Sequence, residues 1–565
     1  MTIILTKPVR VGGVELAAAT TQTFAADVEA DLVSRASAAY TINPTIGQGG
    51  VPVMTVTSNS AQGVAYSAGG LDVTAQLTGD IAGAIRNAGL SWVWKSDATA
   101  TQIRGSWWVY VPVGGGWYNY FAFSNDFNLV SAPKGWTLGR IGLARMAQYV
   151  RHDAPGVVKT GAWTDFTPLD GLFGKSLSRS TTPGNTITFP VRGDTLVARV
   201  AALTNAGYYV CAIDGDYTAA NRLPTFTDAD YTAGKCRAVD VGRRYLCLFY
   251  HSIVGDLHIP LAEGLSDTQH SVTFEVCGTK PTAALDVRTV VSAVMGCSPS
   301  FASDTPGATR CFAHVETAFE AYDGPAAWSV VFEAEKSAAN TWEFVIGTHG
   351  GEGSITGAFY ADGVDITSSL AAGSYQAASL VQFETASTVA TSDALGAPFA
   401  TKKQRFTLSA KGLCPAVCDT SITFTAAKRV RSHYPLMATL WSVRMDGAGG
   451  ALEQYRGRWS DYTIGSWDSA GTLPDTVTVS TNYGNVPAKF AVGTGPHGHQ
   501  LLLTLLDGYN SVLHYTRAYN GVFVQRKTTR EDKLYFERSS IQGIESFIVG
   551  DVARSVVGWG LKPKI

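Results

Sequence analysis

Trp342-Glu343-Phe344-Val345-Ile346-Gly347-Thr348-His349-Gly350-Gly351-Glu352-Gly353-Ser354, followed by Ala358-Phe359-Tyr360-Ala361-Asp362-Gly363-Val364-Asp365-Ile366, is the stretch whose reading decides the fold. Two apolar runs rich in β-branched and aromatic residues flank a loop of glycines, and such residues suit a pleated surface. Asp362-Gly363 is a strong short hairpin signal, because a type I′ turn needs positive φ at both central residues. The stretch therefore reads strand, polar loop, strand, tight turn, strand. The same pattern recurs along most of the chain.

Composition points the same way. Of 565 residues only 16% are charged, against roughly 25% in an average soluble protein, while 59 are glycine and 11% are aromatic. Turn residues with Val, Thr, Tyr and Trp describe an all-β protein of several β-sandwich or jelly-roll domains in series. A net charge of −2 supplies no electrostatic drive toward nucleic acid or an anionic membrane. No apolar segment approaches the roughly 18 residues of a membrane span. The first eight residues lack the basic start and small-residue cleavage site of a secretory signal. The eight cysteines are scattered, which reads as small buried hydrophobes made in a reducing cytosol rather than as a disulfide framework.

Four units are expected. Residues 1–45 form a small attachment segment: Val9-Arg10-Val11-Gly12-Gly13-Val14-Glu15-Leu16 reads as a β element with a turn, and Thr23 as the cap of a helix carrying Phe24, Val28 and Leu32. Residues 46–157 are the densest in aromatics. Trp107-Trp108-Val109-Tyr110-Val111 reads as a strand, with Gly114-Gly115-Gly116 turning into Trp117-Tyr118. Alternation sends successive rings to opposite faces, so one set is core and the other is core or an exposed binding platform. Residues 158–282 carry sandwich-spaced strands at 186–189, 195–200, 208–213, 245–250 and 271–276, with Asp214-Gly215 as a hairpin turn. Residues 283–565 form a large sandwich region that divides, if at all, near 450.

Three resemblances add to this reading. The run from Gly13-Val14-Glu15-Leu16 through Leu32-Val33-Ser34-Arg35 to Ala39-Tyr40-Thr41 resembles the N-terminal segments of tailed-bacteriophage virion proteins. That likeness implies attachment of an appendage to the virion through other tail proteins. Ile213-Asp214-Gly215 followed by Gly264-Leu265-Ser266-Asp267-Thr268-Gln269-His270-Ser271-Val272 resembles galactose-binding-like jelly rolls. Thr348-His349-Gly350-Gly351-Glu352 and Lys533-Leu534-Tyr535-Phe536-Glu537 resemble parts of phage tail fibres.

Chemical motifs are sparse. His349 and Glu352 would need a second carboxylate, Asp362 or Asp365, for acid–base work. His497 and His499 stand two apart, with no carboxylate or cysteine at characteristic metal spacing. Cys414 and Cys418 have three residues between them, and read as a local disulfide or two buried thiols. Gly-x-Ser-x-Gly, Gly-Asp-Ser and Walker patterns are absent, so no cofactor and no metal are expected. Glu333, Glu335, Glu343, Asp461 and Asp468 remain as unassigned carboxylates for glycoside cleavage.

The expectation is a structural protein of a phage tail, a tail fibre or tailspike-like adhesin holding a bacterial surface polysaccharide. His349, Glu352, Asp362, Trp107, Trp117 and Tyr118 are its candidate glycan-binding residues. Weak sites gain through multivalency, so a homo-oligomer, a trimer by preference, is expected. The alternatives are a tail polysaccharide depolymerase or carbohydrate esterase, and a nozzle or collar scaffold without a receptor. Imidazole and acid side chains converging from distant segments would mark a reactor rather than a gripping surface.

Overall fold

The computed structural model describes residues 2–5, 9–11, 14–16, 21–23, 38–40, 55–60, 63–68, 71–72, 98–103, 106–124, 137–166, 176–249, 254–307, 309–320, 329–345, 352–369, 375–393, 397–410, 414–440, 460–465, 477–479, 483–487, 490–495, 497–507, 521–527, 531–536 and 544–564, in several strands through the backbone alone. These residues are almost wholly antiparallel β, with one five-residue α-helix, Asp228–Thr232. The all-β reading holds.

Two large sheets carry the architecture. The first runs, strand by strand, Tyr245–Cys247, Tyr208–Ile213, Val254–Val276, Thr186–Ala202, Thr289–Cys297, Thr137–Arg151, Trp117–Ser124, Ser106–Gly114, Ala98–Ile103 and Tyr375–Ala378, with Arg310–Glu320 also paired to Thr137–Arg151. The second includes Glu352–Ala361, Val381–Val389, Ala400–Leu408, Ala416–Phe424, Val552–Lys562 and Gln500–Asp507 in that order. Thr289–Cys297 is buried at every position, as befits a strand covered on both faces. Val381–Val389 buries every second residue, the signature of one face on the core.

The sheets meet across one core. Trp107, Val109, Phe121 and Phe123 from the first interdigitate with Phe359, Phe383, Phe406 and Trp559 from the second. Trp107 stacks on Phe359 with ring centroids 4.6 Å apart. Asn119, fully buried, donates to the carbonyl of Leu561 at 2.7 Å and accepts from its N–H, stitching the sheets together. A second core lies within the first sheet's far half, around Phe189, Tyr209, Leu246, Val272 and Phe274.

Local signals hold where local chemistry sets them. Asp362 (φ 47°) and Gly363 (φ 82°) turn Ala361 onto Val364, and Asp214 (φ 53°) and Gly215 (φ 82°) do the same beyond Ile213. Val9–Val11 pairs with Val14–Leu16 as expected, while the helix expected after Thr23 lies outside the described residues. The strands expected at 186–189 and 195–200 are one strand, Thr186–Ala202, whose register shifts between Gly193 and Thr195. A Cβ on Gly193 would stand 2.3 Å from the Cys297 carbonyl oxygen, so the close approach needs glycine. Hydrogen-bonded pairing also runs through positions 157 and 282: Thr289–Cys297 pairs with both Thr137–Arg151 and Thr186–Ala202.

The aromatic strand is buried on both faces. Opposite the Trp107 face, Trp108 and Tyr120 enclose the His314 imidazole at centroid distances of 4.8 and 4.1 Å, with Phe301 and Phe312 completing the cover. This corrects the possibility of an exposed platform on that strand. A central strand with a layer on each side leaves no ring free.

Candidate functional site

The sequence-predicted residues do not assemble into one site. His349 lies outside the described residues, and Glu352 is placed only through its backbone in Glu352–Ala361. Trp107 is 1% exposed and sits in the core against Phe359, so its ring faces no ligand, a correction to its candidacy. Asp362 closes its own turn by accepting from the Ser379 and Leu380 N–H groups at 3.0 and 2.9 Å. Glu333 and Glu335 are paired with Arg431 and Arg429 at 2.7 and 2.6 Å, and Glu343 accepts from Ser392. Cys414 and Cys418 are both free thiols.

Trp117 and Tyr118 are different. Both rings are part-buried, directly after the Gly114-Gly115-Gly116 turn in which all three glycines have positive φ. The Tyr118 hydroxyl donates to the Ala302 carbonyl at 3.3 Å, and burial pushes its pKa above the ordinary tyrosine value. Trp117 has the Arg145 guanidinium 5.1 Å from its centroid and the His499 imidazole 5.3 Å away, tilted by 59°.

Around Trp117 charged groups converge from six segments. Arg145 forms a two-pronged bond to Asp194, 3.1 Å at Nη2, and donates to Thr195 Oγ1 at 3.0 Å. Arg222 bonds Glu263 through Nη1 and reaches Glu316 through Nη2 at 3.3 Å. His499 accepts the Lys564 N–H at Nδ1, 2.9 Å, which leaves its proton on Nε2, 3.6 Å from Glu263 Oε1. That last distance is an electrostatic contact, too long for a hydrogen bond. Burial alone would raise the Glu263 pKa, but the His499 imidazole and the Arg222 guanidinium outweigh it and hold the carboxyl at about 2. Burial pushes His497 down to about 4, and the nearby Arg222 cation acts in the same direction.

The floor of this network is dry and the rim is not. Arg145, Arg222, Glu316 and His499 have side chains 2–6% exposed, whereas Asp194 and Glu263 keep 23%. Three buried donors of the floor, Arg145 Nε, Arg222 Nε and His499 Nε2, have no hydrogen-bond partner. Buried N–H groups are costly to leave unmatched, and these three are closed off from solvent, with His499 Nε2 turned toward Glu263.

A second convergence lies near the other end of Thr137–Arg151. The strand Thr289–Cys297 pairs Ala293 with Arg151 and Val291 with Ser178, and the His152 N–H donates to the Ser292 carbonyl at 2.9 Å. This register brings His152 to Ser176: Nε2 and Oγ are 2.8 Å apart. The strand Thr164–Phe166 pairs with Leu177–Ser180 and carries Asp165, whose Oδ1 is 3.4 Å from His152 Nδ1. Lys159 bonds the same oxygen at 2.6 Å. Burial pushes the His152 pKa below the ordinary imidazole value, partly offset by Asp165. Burial would raise Asp165, but its bond to Lys159 holds it below the usual carboxylate range. Among the described residues no group of three or more His, Cys, Asp or Glu side chains is arranged to hold a metal.

No protein-family model and no curated protein matches the chain. Among solved structures, a two-domain esterase active on acetylated mannans, co-crystallized with mannopentaose, is 15% identical over 27% of this chain and 37% of its own, with a TM-score of 0.18. A Paenibacillus xanthan lyase is 7% identical over 91% of this chain and 38% of its own, also with a TM-score of 0.18. The chain spans little more than a third of either neighbour, and likenesses at that TM-score decide neither fold nor function.

Proposed function

We propose that the chain is a structural protein of a tailed-bacteriophage tail, a fibre or tailspike-like adhesin, that holds a bacterial surface glycan at Trp117. The virion assignment is supported by the N-terminal resemblance. The glycan assignment is supported by one observation: a part-exposed indole flanked by Arg145 and His499, whose carboxylate partners Asp194 and Glu263 keep solvent exposure. A sugar offers an apolar ring face to an indole and hydroxyl donors to carboxylates, so this pairing of groups fits it. Carboxylates at the rim, Asp194 and Glu263, accept from further hydroxyls. Weak individual contacts are multiplied by symmetric copies, so the protein is expected to be a homo-oligomer, a trimer by preference.

The test is adsorption. Soluble protein should block phage adsorption to the host and bind purified surface polysaccharide. Trp117→Ala should weaken that binding at least about fivefold without unfolding the chain, because one ring contact is worth about 1 kcal/mol or more. A protein that neither binds the polysaccharide nor competes for adsorption is a scaffold, and the proposal then fails.

A further inference from the structure

We propose that Ser176, His152 and Asp165 form a hydrolytic acyl-transfer site for small acyl esters of alcohols, with Ser176 as nucleophile, His152 as general base and Asp165 as positioning residue. The chemistry does not depend on the glycan site. Only the identity of the ester, an O-acyl group on a surface sugar, rests on the glycan reading.

The geometry assigns the protons. Arg151 Nη2 lies 3.1 Å from Ser176 Oγ and can only donate, so it occupies a lone pair of that oxygen. The hydroxyl proton is then free to point at His152 Nε2, 2.8 Å away. For Nε2 to accept, the imidazole must carry its hydrogen on Nδ1, facing Asp165 Oδ1 at 3.4 Å. Lys159 Nζ bonds Asp165 at 2.6 Å and also lies 3.5 Å from Nδ1, at the limit of a hydrogen bond, and its three protons can serve both. Lys159 therefore keeps Asp165 a carboxylate, and the basic tautomer of His152 forms when Nδ1–H turns to Asp165 and the long Lys159 contact gives way. His152 is 1% exposed, which favours the neutral imidazole, while Ser176 is only part-buried and Asp165 is 47% exposed on its side chain. The constellation thus has a dry base and an approachable nucleophile, the division of labour a serine hydrolase needs.

The step balances without an oxidant or cofactor. Ser176 Oγ attacks the ester carbonyl carbon while its proton passes to His152 Nε2. The bond from that carbon to the alcohol oxygen breaks, and the alcohol leaves with the proton from the imidazolium. Water, deprotonated by the same nitrogen, then releases the acid and regenerates Ser176. Ester and water give acid and alcohol. The Arg151 cation beside Oγ favours the developing alkoxide.

The experiment uses the full chain with p-nitrophenyl acetate and a fluorophosphonate probe. The expected result is one label per chain, on Ser176, and turnover that Ser176→Ala and His152→Gln each lower by roughly 10²–10⁴-fold. Asp165→Asn should lower turnover and move the acid-limb midpoint of its pH profile downward, because Asp165 raises the His152 pKa, a readout that a purely structural carboxylate would leave in place. A label on another residue overturns the proposal, as does a rate in Ser176→Ala equal to that of the parent. Neither outcome depends on polysaccharide binding, so the glycan reading survives or falls separately.

Discussion

Replacing Arg222 by methionine removes the cation that Glu263 and Glu316 share while keeping the apolar stem. The carboxyl of Glu263 is held at about 2, against an ordinary 4.5. A depression of that size corresponds to about 3 kcal/mol of stabilisation at neutral pH, contributed jointly by His499 and Arg222. The sign follows from linkage. Because the folded pKa lies below the unfolded one, the stabilisation is complete above pH 4.5 and drains away as pH falls toward 2. At pH 3 only about 1 kcal/mol of it remains. Glu316, 5% exposed, loses its guanidinium too, and breaking a buried pair from one side costs about 3–5 kcal/mol. Arg222→Met should therefore be less stable than the parent by about 3–5 kcal/mol at pH 7, with the gap narrowing markedly by pH 3. Amide hydrogen exchange along Val254–Val276 and Arg310–Glu320 reads this locally. A variant as protected as the parent at pH 7, or a gap that stays constant down to pH 3, would refute the reasoning.

Gly142→Ala should lower the thermal midpoint by several degrees, because the new Cβ would stand 2.0 Å from the Glu316 carbonyl oxygen and 2.5 Å from the Tyr120 ring, overpacking that costs about 3 kcal/mol. Calorimetry measures it, and an unchanged midpoint would mean that the two strands separate freely there. Iodoacetamide at mild alkaline pH should modify Cys311 first, since it is part-buried while the other seven cysteines are buried. Burial pushes the thiols of Cys247, Cys414 and Cys418 up to about 12, so they should react only after unfolding, as peptide mapping by mass would reveal.

Much of the fold was legible because it is encoded locally. Asp362-Gly363 and Asp214-Gly215 carry their turn chemistry in two residues, and the alternation in Val381–Val389 carries its own burial pattern. What alternation does not encode is the number of layers. Trp107 and Trp108 point to opposite faces, and both are buried because Phe359 waits on one side and His314 on the other. Those partners lie about 250 and 200 residues downstream. Of the candidate glycan residues, Trp117 and Tyr118 were readable from the glycines before them. The groups that surround Trp117 were not: Arg145, Arg222, Glu263, Glu316 and His499 share no spacing, and only the sheet registers bring them together. Ser176 was hidden more narrowly. Gly174-Lys175-Ser176-Leu177-Ser178 departs from a Gly-x-Ser-x-Gly elbow in its last residue alone, and its partners His152 and Asp165 precede it by 24 and 11 positions with no motif of their own.

The two convergences answer the contrast between gripping surface and reactor in different ways. Around Trp117 every carboxylate is matched to a cation, and the unmatched atoms are donors. Such a site lacks a base poised near neutrality: Glu263 stays ionised down to about 2, and His497 stays neutral down to about 4. At His152 the balance is reversed, with a neutral imidazole facing a hydroxyl whose proton it can take. Arg145 lies on the strand Thr137–Arg151 and His152 follows the strand in a turn, seven positions away, which is about 23 Å of extended chain. The sites are therefore distant, and perturbations at the two should add rather than couple. An appendage built so would hold a glycan at one place while a separate acyl-transfer centre worked at another. Neither site would need the other to fold, because each hangs on its own pairing partners of the same strand.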